Sequence, residues 1–333
     1  MTDPENEKQP IGQDTVIPFQ VAGLDVRGRA VQLGPMLDSI LDRHDYPEPV
    51  ARLLAEAITL TVLLGTTLKF DGKFILQTQT DGPVSMIVTD FTTPDSIRAY
   101  ARYNEEELEK AIQHEATDAP SLLGDGILAM TIDQGKYSQR YQGIVKLDGI
   151  GLEEVARRYF AQSEQIPTEI RLAVGEILIR EAGSKPRHAW TAGGVLLQFL
   201  PDTEERMRQK DLHGGDGAPE EDGGQEIDNA WGEARSLMKT IADVELTDSA
   251  LEPDRLLYRL FHEHGVRAFD GVPVKDNCTC SLEKVSNVIA GLSTEERAAS
   301  VENNTDGKPE ISVTCEFCNQ SYSFDPAEFD ETK

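Results

Sequence analysis

Hydrophobic and polar positions show two different periodicities along the N-terminal part of the chain, one helical and one strand-like. Apolar residues recur at helical spacing over residues 50–65, which predicts a buried amphipathic helix. Alternating positions predict two strand pairs, residues 74–80 with 84–90 and residues 127–133 with 141–147. The residues before position 50 show neither periodicity and are expected to be loosely structured.

Helices follow the strand pairs, and this order indicates the fold class. A helix is expected at residues 152–160, and further strands at residues 168–174 and 194–200. Strand pairs alternating with helices predict an α+β domain with a mixed, largely antiparallel sheet and helices packed on it. Beyond this domain, residues 202–228 are rich in glycine and acidic residues and are expected to form a flexible loop.

Two short amphipathic helices are predicted after the acidic loop. One extends from Trp231 to Ile241, and the other contains Leu256 and Phe261. Helices of this length are marginally stable unless they pack on another surface. We therefore expect a helical linker whose stability depends on its neighbours.

The composition is that of a globular protein with a strongly acidic surface. Of 333 residues, 39% are hydrophobic, and 59 Asp and Glu against 32 Lys and Arg give a net charge of -27. This charge repels nucleic-acid phosphates and anionic lipids, so neither nucleic acid nor membrane is expected as a partner. The N-terminus has no signal-peptide pattern, and no apolar stretch has the length of a membrane span. We expect a cytoplasmic protein.

The cysteines are the strongest chemical signal. A C-x-C pair, Cys278 and Cys280, and a C-x-x-C pair, Cys315 and Cys318, contain all four. The cytoplasm keeps thiols reduced, and clustered cysteines there bind metal more often than they form structural disulfides. Two close thiolate pairs can surround a tetrahedral Zn²⁺ ion at about 2.3 Å per Zn–S bond. The sequence therefore predicts one Zn²⁺ per chain, held by these four cysteines in the reduced state.

These patterns divide the chain into three expected parts. They are an N-terminal α+β core domain at residues 14–205, an acidic loop and metastable helical linker at residues 206–270, and a small C-terminal four-cysteine zinc domain at residues 271–329. In the last part, Ser281 is expected to cap a helix and Ser293 to begin a capping box. Residues 315–318 are expected to lie in a hairpin turn.

Oxidation leaves two interpretations open. The site can be a closed zinc knuckle that only stabilises a small domain. Alternatively, the sulfurs of each pair are close enough to form an internal disulfide and release the metal. Bound zinc crosslinks the two pairs across the 34 residues between Cys280 and Cys315, and closing a loop of this length costs about 3 kcal/mol of chain entropy. Disulfides within each pair do not replace this crosslink. Internal disulfides would unfold the tail, whereas a crossed disulfide such as Cys278 with Cys315 would not.

Other chemistries fit the sequence less well than the four-thiolate site. His262 and His264 lie upstream as substitute ligands, but four thiolates already complete a tetrahedral shell. A thiol–disulfide oxidoreductase would have its C-x-x-C at a helix N-terminus in a βαβ unit, and a nucleic-acid-binding zinc ribbon would carry a basic stripe. No phosphate-binding loop or H-E-x-x-H motif occurs, and no enzyme activity is expected.

The cysteine motifs resemble those of a known family. Residues 277–284, NCTCSLEK, and residues 313–319, VTCEFCN, are similar to the redox-regulated holdases of the bacterial thirty-three-kilodalton heat-shock chaperone (chaperonin) family. Further similar stretches are DGP at 81–83, RYQGIV at 140–145, YFAQSEQ at 159–165 and AGG at 192–194. The resemblance covers most of residues 14–329.

The resemblance implies a function for the cysteine tail as a redox switch. In this family the reduced, zinc-bound state is inactive, and oxidation forms disulfides and releases zinc. The oxidised state, often a homodimer, binds unfolding or oxidatively damaged client proteins without ATP and prevents their aggregation under oxidative stress. The family pattern implies disulfides between Cys278 and Cys280 and between Cys315 and Cys318, and a metastable linker before them.

Two features depart from the family pattern. The gap between the cysteine pairs is a few residues longer than expected, and the acidic, glycine-rich segment near residues 211–226 resembles an insertion. Neither feature removes a candidate zinc ligand.

Overall fold

The computed structural model describes residues 14–68, 71–135, 140–179, 187–200, 229–303 and 307–329. The strands are β1 Thr15–Val21, β2 Val26–Leu33, β3 Lys73–Thr80, β4 Met86–Thr92, β5 Ser96–Arg102, β6 Asp125–Asp133, β7 Tyr141–Asp148, β8 Thr168–Ile179, β9 Arg187–Phe199, β10 Val266–Ala268, β11 Val272–Pro273, β12 Lys275–Asp276, β13 Val301–Asn303, β14 Pro309–Thr314 and β15 Ser321–Phe324. The helices are α1 Pro35–Asp42, α2 Glu48–Gly65, α3 Glu105–Gln113, α4 Ala119–Leu123, α5 Leu152–Tyr159, α6 Asn229–Lys239, α7 Asp243–Thr247, α8 Pro253–Phe261, α9 Leu282–Ala290 and α10 Thr294–Ala299.

Two compact units divide the chain between Asp276 and Asn277. The first unit, residues 1–276, contains two six-stranded sheets. Sheet 1 has the order β10-β1-β2-β9-β8, with β11 also paired to β1, and sheet 2 has the order β12-β5-β4-β3-β6-β7. Antiparallel pairing dominates both sheets, and only β12 lies parallel to its neighbour β5 among these pairs. The predicted α+β class with largely antiparallel strands is confirmed.

Helix α2 forms the centre of the first unit. The helix begins after Pro47, whose ring disfavours a helical conformation in the residue before it. A second proline, Pro49, lies in the first turn, where its missing N–H has no cost. Nearly all of its side chains are buried, and they pack against residues of both sheets, such as Leu33 of sheet 1 and Leu76 of sheet 2. An amphipathic helix of this kind would expose one face, so the burial on all sides shows that α2 is a layer between the sheets.

Sheet 1 is covered on both faces. Along β9, Leu196 packs into the cluster around α2, whereas Val195 and Leu197 pack into a second cluster on the opposite face. A strand buried on both faces has a continuous apolar sequence instead of an alternating one, which explains the apolar run predicted as a strand at 194–200. The second face is covered by α6, α7 and α8.

The predicted linker helices therefore have the surface that their stability requires. The buried side chains of α6, α8 and the unpredicted α7 are Trp231, Ala234, Met238, Leu246, Pro253, Leu256, Leu257, Leu260 and Phe261. The ring of Phe261 stacks on Phe19 of β1 at 5.9 Å, and Trp231 lies 5.8 Å from Phe199 of β9. We refer to helices α6, α7 and α8 together as the linker cover.

The second unit, residues 277–333, contains the cysteines. Its three-stranded antiparallel sheet has the order β13-β14-β15, and helices α9 and α10 complete it. Ser281 caps α9 by accepting a hydrogen bond from the Lys284 amide, and Ser293 forms a capping box with Glu296, as predicted.

Some expectations of local structure were wrong or incomplete. Residues 14–49 are not loose, because they form the hairpin β1–β2 and helix α1, and β2 is an inner strand of sheet 1. Helix α7 had no sequence prediction. The acidic loop predicted at 202–228 lies outside the described residues. Among the helices of the described ranges, none is long and apolar enough to span a membrane.

Candidate metal centre

The first cysteine pair lies in the segment that leads into helix α9. Cys278 and Cys280 come directly before Ser281, the residue that caps this helix. The ammonium group of Lys284, in the first turn of α9, donates a hydrogen bond of 2.5 Å to the Thr279 carbonyl between the two cysteines. The helix start and this lysine together hold the backbone of the C-x-C segment.

The second cysteine pair lies in the turn between β14 and β15, as the sequence predicted. The Cys315 amide donates to the Gln320 carbonyl, and the Asn319 amide donates to the Cys315 carbonyl, both at 2.9 Å. Asn319 has a φ of 58°, a left-handed conformation that asparagine adopts more readily than most residues. These bonds fold the C-x-x-C segment into a tight knuckle.

The four sulfur atoms form one cluster. Any two of them lie within 4.8 Å, and contacts join the pairs: Cys278 Sγ lies 3.7 Å from Cys315 Sγ, and Cys280 Sγ lies 3.3 Å from Cys318 Sγ. In a tetrahedral ZnS₄ site with bonds of about 2.3 Å, sulfur atoms are separated by about 3.8 Å. The cluster has this size, and thiolate donors favour zinc over hard cations such as Mg²⁺. The four cysteines are therefore positioned to bind a metal ion.

The thiols of the cluster differ in acidity. Burial opposes ionisation of the Cys280 thiol, but hydrogen bonds with the Tyr322 hydroxyl and the other three thiols outweigh burial and lower its pKa to about 7. Burial raises the pKa of the Cys318 thiol to about 12, and its contacts with the other thiols act in the same direction. A cluster in which one thiol ionises readily can begin to bind a cation at neutral pH.

A tyrosine hydroxyl also contacts the cluster. Tyr322 Oη donates a hydrogen bond of 3.1 Å to Cys280 Sγ. The hairpin turn predicted at residues 315–318 did not by itself identify Tyr322 as a contact of the site. The signal was present in its position, because Tyr322 follows the C-x-x-C turn on the strand that returns from it.

The two histidines proposed as substitute ligands have other partners. His262 stacks on Tyr258 with ring centroids 5.2 Å apart, and His264 Nε2 lies 3.3 Å from a carboxylate oxygen of Glu233. Both partners belong to the linker cover. The structure brings all four predicted cysteine ligands together without either histidine.

The cysteine unit has a small hydrophobic core. Four hydrophobic side chains, Ile289, Ile311, Phe324 and Phe329, are buried in the described part of this unit. Domains of this size bury too little apolar surface for a large margin of stability, and metal ions or disulfides commonly supply the rest. The described part of this unit therefore has a small core beside its four cysteines.

Comparison with known proteins matches the geometry to a family. A family model described as Hsp33 protein matches residues 14–325, which include both sheets, the linker cover and the four cysteines. The chain belongs to the Hsp33 family. Hsp33 proteins are chaperones and not enzymes, and chaperone function implies binding of unfolded client proteins.

Curated relatives agree over nearly the full length. The 33 kDa chaperonin of Caulobacter vibrioides strain NA1000 / CB15N is 41% identical over 314 residues, covering 94% of this chain and 95% of the relative. The 33 kDa chaperonin of Pseudomonas putida strain F1 is 37% identical over 304 residues, covering 91% and 88% respectively. The resemblance derived from the cysteine motifs is confirmed.

A solved structure shows the same fold. The crystal structure of the 33 kDa chaperonin from Thermotoga maritima, a heat shock protein 33 homologue, aligns with a TM-score of 0.67 at 20% sequence identity. The alignment covers 96% of this chain and 97% of that structure. At 20% identity, this structural similarity shows that the two chains share a fold and nothing further.

Proposed function

We propose that this Hsp33 chain is a redox-regulated, ATP-independent holdase. In the reduced state, one Zn²⁺ ion held by Cys278, Cys280, Cys315 and Cys318 keeps the chaperone inactive. Oxidation forms disulfides within the pairs, the metal is released, and the chain then binds unfolding proteins. The observation that carries this proposal is the cluster of four sulfur atoms within 4.8 Å, in a tail with four buried hydrophobic side chains.

The chemistry of the switch belongs to the sulfur atoms. Bound Zn²⁺ would hold four thiolates and link the two ends of the tail. Hydrogen peroxide or hypochlorous acid takes two electrons from each pair of thiols, so that one sulfur–sulfur bond forms per pair. With peroxide the oxygen–oxygen bond breaks, and its two oxygen atoms leave as two water molecules after taking up two protons from solvent for each pair of thiolates oxidised. We assign the disulfides to Cys278 with Cys280 and to Cys315 with Cys318.

The interleaved arrangement of the sulfur atoms explains why these disulfides would unfold the tail. Contacts of 3.7 and 3.3 Å join the first cysteine pair to the second. A disulfide within each pair closes only a short loop inside that pair, and no bond then joins the first pair to the second. The crosslink across the 34-residue gap is then lost, and its closure entropy of about 3 kcal/mol is large for a unit with so small a core.

Unfolding of the tail is proposed to act on the linker cover through the continuous chain. Strand β12, the last element of the first unit, ends at Asp276, directly before the cysteine segment. Strand β10 follows α8 closely and pairs with β1, the strand on whose Phe19 the ring of Phe261 packs. Loss of order after Asp276 would therefore reach elements that join the linker cover to sheet 1.

The linker cover conceals the surface that we propose for clients. It packs on side chains of sheet 1 that include Phe19, Val195 and Phe199. Two ion pairs hold it in addition to apolar contacts: Arg235 lies 3.2 Å from Glu169, and Arg171 lies 2.8 Å from Asp243. If the cover leaves the sheet, both its apolar face and the sheet become available to exposed hydrophobic segments of damaged proteins.

The remaining parts of the proposal concern partners and location. We propose that the oxidised protein forms a homodimer and acts in the cytoplasm. The net charge of -27 keeps complexes with clients in solution and disfavours nucleic acid and membranes as partners. The predicted core at 14–205, linker at 206–270 and redox-switch zinc domain at 271–329 are the parts that would separate on oxidation.

The test measures metal release and chaperone activity in the same samples. Zinc release is followed with a chromophoric chelator, and client protection by light scattering of a heat-unfolded test enzyme, before and after oxidation by peroxide. We expect little protection and one bound Zn²⁺ in the reduced protein, and strong protection with the metal released after oxidation. Full protection by a reduced protein that retains its zinc would refute the switch.

A ligand variant provides the matched comparison. Cys280→Ser is expected to weaken zinc binding and to make the reduced protein active, because one thiolate of the cluster is lost. Thr279→Ser, which changes the residue between two ligands, serves as the control and should retain both the metal and the inactive state. Unchanged zinc affinity in Cys280→Ser would contradict the site assignment.

A further inference from the structure

The hydroxyl of Tyr322 contacts the candidate metal centre from the strand that follows the C-x-x-C turn. Its oxygen lies 3.1 Å from Cys280 Sγ and donates a hydrogen bond to the sulfur. Tyr322 is paired with Val313 across β14 and β15, and this register fixes the position of its backbone relative to the turn. The tyrosine is partly buried beside the small core of the unit. The contact is therefore held by a regular sheet and not by a loose loop.

A hydrogen bond to a thiolate changes its reactivity in a defined direction. The donor withdraws negative charge from the sulfur, and a charge-assisted bond of this type is stronger than a neutral one. Partners that hydrogen-bond to metal ligands also fix the orientation of the ligand and tune the metal site. The nucleophilicity of a thiolate falls as its negative charge is stabilised.

We propose that Tyr322 is a positioning residue whose hydrogen bond lowers the reactivity of the Cys280 thiolate in the metal-bound cluster. The inference rests on the four-thiolate site of the proposed function and adds an order of reaction to it. In the metal-loaded cluster, Cys280 therefore reacts with an electrophile more slowly than it would without the hydrogen bond from Tyr322, whereas the other three sulfur atoms keep their own rates. Tyr322 thereby raises the threshold at which the C-x-C pair reacts.

The neighbouring cation does not perform this function in the structure. Lys284 is the nearest basic residue along the sequence, but its ammonium group donates to the Thr279 carbonyl. Lys284 therefore orients the backbone between Cys278 and Cys280, whereas Tyr322 acts on a sulfur atom. The two residues predict different effects when they are replaced.

The experiment measures the alkylation rate at each cysteine of the metal-loaded, full-length protein. Iodoacetamide is the probe: the thiolate sulfur forms a bond to carbon and iodide leaves, and peptide mass spectrometry gives one rate per cysteine. In Tyr322→Phe we expect alkylation of Cys280 to rise about three- to tenfold, because about half of the hydrogen-bond energy is expressed in the rate. The rates of the other three cysteines should stay near their wild-type values.

Two further measurements separate this function from a structural one. Ser323→Ala removes the next hydroxyl on β15, which contacts Glu310 instead of sulfur, and should leave all four rates unchanged. Replacing Tyr322 by 3-fluorotyrosine strengthens the donor without changing its shape and should slow Cys280 below the wild-type rate. In the Co²⁺-loaded protein, the sulfur-to-cobalt charge-transfer band should move to lower energy in Tyr322→Phe.

The outcomes decide between the inference and its alternatives. An unchanged Cys280 rate in a Tyr322→Phe protein that holds one metal ion would overturn the inference and leave the metal site intact. Equal acceleration at all four cysteines, or loss of the metal, would show that Tyr322 is only structural and would also overturn it. A wild-type protein that takes up no metal would overturn the metal site of the proposed function and the inference with it.

Discussion

Replacing Phe261 by alanine is expected to release the linker cover while leaving every cysteine in place. Phe261 is fully buried at the C-terminal end of α8, and its ring stacks on Phe19 of sheet 1 at 5.9 Å. The substitution leaves a ring-sized cavity between a helix of only nine residues and the sheet. Such a helix has little stability of its own, so its packing determines whether it stays on the sheet.

The size of the effect follows from the burial of the ring. Truncation of a buried phenylalanine to alanine costs about 3 to 5 kcal/mol, which combines lost transfer free energy with the cavity that remains. Each 1.4 kcal/mol is about a tenfold change in an equilibrium constant, so the population with an undocked cover should rise by at least about 100-fold. If the cover is what restrains activity, this increase should give client protection in the reduced state.

The assay combines amide hydrogen exchange with client protection in the reduced, zinc-loaded protein. Exchange at the amides of α8 should become faster, and light scattering of the heat-unfolded test enzyme should decrease. Tyr258→Ala is the matched control, because Tyr258 is on the same helix but 66% exposed, and its truncation should change neither measurement.

One result would refute the reasoning. If exchange in α8 accelerates as expected while the reduced Phe261→Ala protein protects clients no better than wild type, docking of the cover does not control activity. The client surface would then lie elsewhere on the chain.

Two further predictions concern the contacts of α2 and of β9. Burial, and after it the neighbouring charge of Glu153, raise the pKa of Glu56 from an ordinary value of 4.5 to about 7. The contribution of Glu56 to the free energy of unfolding is therefore fully present below pH 4.5 and is lost as the pH rises through about 7. Glu56→Gln should therefore lose less stability than wild type between about pH 5 and pH 7 in urea unfolding; parallel curves would contradict this. In Gly193→Ala the added Cβ would overlap the Leu246 carbonyl oxygen of α7, which should cost about 1 to 3 kcal/mol in urea unfolding. Gly291→Ala, where a Cβ meets only ordinary contacts, is the control, and equal stability of the two variants would exclude the overlap.

The elements that the sequence predicted are those with local signals. Helix α2 has prolines at its start and continuous helical spacing, and the capping box at Ser293 uses residues three positions apart. The C-x-x-C turn lies between two alternating stretches, so its place in a hairpin could also be predicted. In each case the residues that decide the structure are neighbours in the sequence.

The first hairpin was missed although β2 alternates as a strand does. Val26 and Ala30 are buried, and Arg27 and Arg29 between them are half-buried. In the folded protein, Arg29 donates a hydrogen bond of 2.9 Å to the Thr66 carbonyl at the C-terminal end of α2, and Arg27 contacts Gln198. These partners lie far away in the chain, so the local sequence does not show that an inner strand can hold two arginines.

The candidate site shows the same limit. The four ligands could be named from their spacing alone, because no other cysteine competes for the assignment. The hydrogen bond from Tyr322 to Cys280 joins residues 42 positions apart and needs the register of β14 and β15 to become visible. Helices α6 and α8 of the linker cover were predicted, but their position on sheet 1 follows from side chains of β1 and β9 that no local pattern connects to them.

The central claim is that one metal ion, bound by two distant cysteine pairs, maintains the fold of the tail. Native mass spectrometry of the reduced protein, combined with hydrogen exchange of residues 277–329 before and after removal of metal by a chelator, tests it most directly. The account predicts one Zn²⁺ per chain and a loss of exchange protection in this segment when the metal is removed. A reduced protein that carries no metal and still protects residues 277–329 from exchange would contradict it.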